Sequence, residues 1–334
     1  MSALVLAACC VAQLVGGPIE IEPIQVEGEV VKPSVFTIVT PPASLRLHED
    51  PSPEVIAAAA ARLAAGPARA ADLVVRARAQ AALARARLER ELAAWDRASA
   101  CADRGECPPP GDMPAPDYRP ALVALAEAEG AAGADEDRVE RLALGAALAL
   151  EPGPGRDPAR AAVALDELAR RIERGPLAIW ARFLLAEQAF EAGDMTAAAT
   201  WYRAGAIADP GSSLVPFMRY KSAWAHFNLG DVDQAIALFR ALATAEPPSV
   251  LAREAEHDLV LAYAHRPARV GEAIAALAAR PRASRLLLEL AERLLDLEDR
   301  VAAQRVLVEL ERRTFEGDEA RRLDDVRARV HEVR

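Results

Sequence analysis

The sequence predicts an all-α chain in which antiparallel helix pairs stack into a solenoid, with a short extended segment ahead of them. Three observations lead there. After residue 51 the chain is rich in Ala, Leu, Arg and Glu, which cost least in a helix, and lacks strand-like alternation. Hydrophobic residues make up 52% of it but aromatics only 4%, so small aliphatic side chains must fill the core, which suits closely approaching helix axes. The stretch 180–210 recurs at 217–247 with its turn, small and terminator residues in register.

Residues 1–16 read as a leader. Ala3 to Val15 is too short an apolar run to span a bilayer and about right for a signal-peptide core, although no Lys or Arg precedes it. Within it Leu6-Ala7-Ala8-Cys9 resembles a bacterial lipobox, making Cys9 a candidate acylation site and the N-terminus the one candidate membrane anchor. Residues 17–50 alternate apolar and acidic side chains from Ile19-Glu20-Ile21-Glu22 onward, an extended, β-like tether or a strand for another protein's sheet edge. Residues 51–100 hold two helices. Pro51-Ser52-Pro53-Glu54 starts the first, Gly66-Pro67 ends it, and Ala68 to about Ala100 forms one long second helix. Residues 101–119 form a Pro-rich loop or linker, because proline cannot continue a helix. Cys101 and Cys107 within it are either a local disulfide, as an oxidising compartment allows, or free thiols.

Residues 120–334 form the repeat domain. Gly193-Asp194 aligns with Gly230-Asp231, Ala186 with Ala223, Ala198 with Ala235, Tyr202 with Phe239, and Pro210 with Pro247. Each position has a mechanical reason. Glycine takes positive φ where the first helix ends, alanine lets paired helices cross, the aromatic plugs the gap to the next unit, and proline stops the second helix. These residues resemble the tetratricopeptide repeat. Weaker pairs flank the two: Arg138 to Leu150 with Asp157 to Ile172, Ala252 to His265 with Val270 to Ala279, and Ser284 to Leu297 with Val301 to Arg312. Glu316 to Val333 reads as a closing helix, giving about five repeats.

The resemblance implies a right-handed superhelix whose first helices line a concave groove that grips a peptide or helix of a partner. Nine of the fifteen Phe, Tyr and Trp residues fall between 180 and 227. They could be core plugs or binding anchors. Leu185, Ala186 and Ala189, and Ser222, Ala223 and His226, already fill the packing positions, which pushes Tyr220, Trp224 and Phe227 towards the groove and leaves both readings open. The candidate groove residues are Trp180, Phe183, Glu187, Phe190, Phe217, Tyr220, Trp224, Phe227 and Asn228. Glu187, Glu191 and Asn228 favour a mixed apolar and basic ligand there.

No catalytic residues, cofactor or metal site are expected. GxSxG, HExxH and phosphate-loop patterns are missing, and His257 and His265 lie too far apart to share a metal without a third ligand. The net charge of −10 argues against nucleic acid as a partner. The expected partners are other proteins. The leader, extended stretch and helical body together look like periplasmic repeat subunits of outer-membrane assembly, cell-division or gliding-motility machines. A cytoplasmic adaptor is the alternative.

Overall fold

The computed structural model describes residues 50–135 and 137–331. The expected leader, nearly all of the tether and Cys9 lie outside them. Among the described residues the only regular secondary structure is helical, apart from an isolated bridge between Arg69 and Ala132. Fourteen α-helices and one short 3-10 turn make up two compact units, one ending at Gln188 and the other beginning at Ala189.

The first unit contains α1 (Pro53–Ala65), α2 (Ala70–Asp103), α3 (Arg119–Glu129), α4 (Arg138–Leu150), α5 (Pro158–Arg171) and most of α6 (Pro176–Glu191). Helices pack on their sequence neighbours: α1 on α2, α2 on α3, α3 on α4 and α4 on α5. Starts follow capping chemistry. Ser52 accepts from the Val55 amide at 3.4 Å, and Asp157 accepts from the Arg160 amide at 2.9 Å, each with proline in the first turn. Asp72 is buried on α2 because Arg62 of α1 reaches it at 2.6 Å, so the charge enters the core already paired.

The Pro-rich stretch joins α2 to α3 within this unit, and α3 packs directly on α2. Trp95 Nε1 donates to the Gly111 carbonyl at 2.9 Å. Gly153 lies so close to the Pro116 carbonyl oxygen that a methyl group there would collide with it, and its φ is +133°. Cys101 and Cys107, with Cα atoms 5.5 Å apart, are joined by a disulfide where α2 ends.

The second unit contains the end of α6, then α7 (Met195–Ala208), α8 (Val215–Asn228), α9 (Val232–Ala243), α10 (Ala252–Ala264) and a 3-10 turn (Pro267–Arg269). It continues with α11 (Val270–Ala278), α12 (Ala283–Asp296), α13 (Arg300–Leu310) and α14 (Gly317–His331). Here too the packing runs in order. α8 lies on α7 and α9, α10 on α9, α11 and α12, and α12 on α10, α11, α13 and α14. Ala198, Ala223 and Ala235 are fully buried where helices cross, and Tyr202 and Phe239 are buried beside them. In α12, Leu287, Leu290, Ala291 and Leu294 form one fully buried stripe, each leucine contributing roughly 2 kcal/mol of apolar transfer.

One turn recurs three times in this unit. Gly193 (φ +81°) and Gly230 (φ +79°) are left-handed. Each donates to the carbonyl three residues back, and the following Asp donates to the carbonyl five back. The Asp side chain then caps the next helix, Asp194 accepting from Ala197 at 2.9 Å and Asp231 from Gln234 at 3.3 Å. The third copy is Leu297-Glu298-Asp299. The Glu298 amide bonds Leu295 at 3.0 Å, the Asp299 amide bonds Leu294 at 2.8 Å, and Asp299 caps Ala302 at 2.8 Å. Sequence spacing missed it because glutamate stands at the glycine position, with φ +61°. A left-handed residue with a Cβ costs roughly 1–2 kcal/mol, part of which glycine returns through unfolded-chain entropy. Glu298→Gly is therefore expected to stabilise the fold by about 0.5–1 kcal/mol in urea titrations.

Candidate protein-binding site

The structure divides the predicted groove residues in two. Trp180, Phe183, Phe190, Tyr220 and Trp224 are buried, none more than 4% exposed. They are packing residues, so the expectation that they present an aromatic surface to a ligand is corrected for these five. Glu187, Phe217, Phe227 and Asn228 are half-buried.

The physical reason lies in the next helix. On α10, Asp258 is 4% exposed and accepts from the Tyr220 hydroxyl at 2.5 Å and from Trp224 Nε1 at 3.1 Å. A buried carboxylate needs donors, and these two aromatics turn inward to supply them. Their rings then pack edge-on against Phe239, each with centroids 5.8 Å away. Phe227 continues the seam, 5.2 Å from the His265 ring, and Phe190 meets Tyr202 at 6.5 Å. The face of α8 expected to line the groove is thus turned towards α9 and α10.

Burial pushes the Asp258 carboxyl up to about 6, although the Tyr220 hydroxyl, His257 and the Trp224 indole pull it back. His257 Nδ1 lies 3.0 Å from Glu289 of α12, whose hydrogen bond holds the imidazole above its usual value. Glu289 itself is lowered: burial raises it, but His257 and Arg293 outweigh that. Glu256, also buried, meets Arg282 at 2.8 Å and Arg280. Glu256, His257 and Asp258 are consecutive and so point in different directions around α10. Together they tie α10 to its neighbours. Asp258 is buried and both of its donors are side chains of the neighbouring helix α8, as befits a structural network.

An open surface lies elsewhere in this unit. A cleft of about 620 Å³ runs between α7 and α9 with α8 as its floor. Thr200, Arg203 and Ile207 stand on α7, Met218, Arg219, Ser222 and His226 on α8, and Gln234 and Leu238 on α9. Ile207 is 68% and Leu229 46% exposed. His226 Nδ1 is 3.3 Å from Asp231. None of the lining except the structural Tyr202 was among the predicted site residues. Arg203 and Arg219 resemble every other surface arginine in the sequence, and only the exposed Ile207, on a helix whose opposite face is already apolar, could have marked the place.

Among the described residues no group of His, Cys, Asp and Glu is arranged to hold a metal ion, and no helix is long and apolar enough to cross a membrane. Comparison with protein-family models, with curated proteins and with solved structures returned no match.

Proposed function

We propose that the chain is a non-catalytic protein–protein interaction scaffold, a tetratricopeptide-type solenoid that holds a peptide or helix of a partner within a bacterial envelope complex. The observation that carries this reading is the recurring turn at 193–194, 230–231 and 298–299. A chain that repeats one helix–turn–helix device and packs most of its helices on their sequence neighbours exposes long helix faces, and binding is what such faces serve. Placement in the envelope draws support from the Cys101–Cys107 disulfide, because oxidising compartments keep such bonds and the cytosol reduces them.

Affinity purification of the tagged full-length chain after crosslinking in its native cells tests the reading. Discrete partners recovered at constant ratio are expected. Recovery of the chain alone at every crosslinker concentration overturns it. Fractionation of the same cells, with alkylation before reduction, separates the two locations. A periplasmic or membrane fraction with Cys101 and Cys107 protected from alkylation supports the envelope, whereas a cytosolic fraction with both thiols alkylated favours an adaptor that is not exported.

A further inference from the structure

We infer that the cleft between α7 and α9 is a docking site for an acidic segment of a partner protein, about six residues long and carrying apolar side chains between its carboxylates. This rests on the protein-binding reading above and names the ligand chemistry of one face. The charge distribution points to it. Arginines of this unit mostly meet carboxylates: Arg240 and Arg269 meet Glu272, Arg322 meets Glu292, and Arg329 meets Asp296. Arg203 and Arg219 both line the cleft, and neither has a hydrogen-bond or ion-pair partner among the described residues.

The lining holds one carboxylate, Asp231, which is already engaged in capping α9 and lies beside His226. The cleft is therefore cationic within a chain of net charge −10. The rest of the lining mixes threonine, serine and glutamine side chains with apolar ones, and Ile207 and Leu229 are open to solvent, so a purely anionic ligand would leave apolar surface uncovered. The 14 residues of α7 give the trough a length of about 21 Å, which an extended strand covers in roughly six residues. Nucleic acid does not fit. Two cations are too few for a phosphate backbone, and Tyr202, the one aromatic in the lining, is fully buried and has no face to offer a base.

The test uses the full-length chain and a fluorescein-labelled twelve-residue peptide alternating glutamate with leucine, read by fluorescence polarisation. Saturable binding is expected to weaken about tenfold or more in the Arg203→Glu/Arg219→Glu double variant, a loss of about 1.4 kcal/mol. The Arg285→Glu/Arg305→Glu variant makes the same charge change at two exposed arginines off the cleft, and it should bind like the parent. Equal weakening in both variants, or equal binding of a peptide with lysine in place of glutamate, overturns the proposal. Displacement of the probe by a free peptide of residues 18–31, more tightly than by the unlabelled probe, also overturns it by assigning the cleft to the chain's own segment. Failure here with partners still co-purifying leaves the scaffold reading standing, so the two failures are distinguishable.

Discussion

Trp224→Ala is expected to lower the free energy of unfolding by about 3–5 kcal/mol, the usual cost of truncating a buried aromatic to alanine. The indole is 3% exposed, its edge meets Phe239 and Phe227, and its N–H is one of two donors to a buried carboxylate. Removing it opens a void and leaves Asp258 with a single strong donor, and both effects act in the same direction. Phe227→Ala should cost clearly less, about 1–2 kcal/mol, because that ring is half-buried and carries no polar partner. Chemical denaturation of the two variants side by side checks this. A wild-type midpoint for Trp224→Ala would mean that the indole is not part of the core and would return it to the candidate binding surface.

The second large effect concerns acidity. Asp258 has a folded value of about 6 against 3.8 in an unfolded chain, so the native state takes up its proton first. Its contribution to stability is fully present below 3.8 and is lost as the pH rises through 6. Between pH 7.5 and 4.5 the wild type should therefore gain on the order of 2 kcal/mol relative to Asp258→Asn, which has no proton to bind. The comparison with a variant is needed because other groups titrate in the same window. His257, raised mainly by Glu289, acts in the same direction, whereas His265, lowered by burial and by Arg293, opposes it. Glu289, lying below its usual value, loses its contribution only at lower pH. Tyr220 and Trp224 from α8, His257 on α10, and Glu289 and Arg293 from α12 are the groups around this site, and all are unchanged in Asp258→Asn. A stability difference between wild type and variant that stays flat across the range would show that Asp258 is ionised throughout, and the burial argument would fail.

Much of the helical architecture could be read before any coordinates because its punctuation is chemical. Ser52, Asp157, Asp194 and Asp231 mark helix starts by what their side chains accept, and Gly193 and Gly230 mark turns by what backbone they permit. Where the punctuation is atypical, the reading thinned. Helix α3 follows a run of prolines with only Pro120 as its opening signal, and the turn at Glu298 uses a residue that gives no warning of positive φ. The direction of an aromatic stripe was legible least of all. Helical spacing shows that Tyr220, Trp224 and Phe227 share a face, but only the position of Asp258 on a helix more than thirty residues away decides what that face meets. The cleft was silent for a related reason, since an unpaired arginine differs from a paired one only in its neighbours.

The stretch between α2 and α3 has a practical consequence for anyone dissecting this chain. Its prolines and glycines look like a natural place to cut, but Trp95 hydrogen-bonds to it and the backbone at Gly153 is pressed against it. It behaves as a clasp. A fragment begun at residue 120 would strip α3 of the long helix it packs on, leaving a sticky end where an orderly terminus was intended.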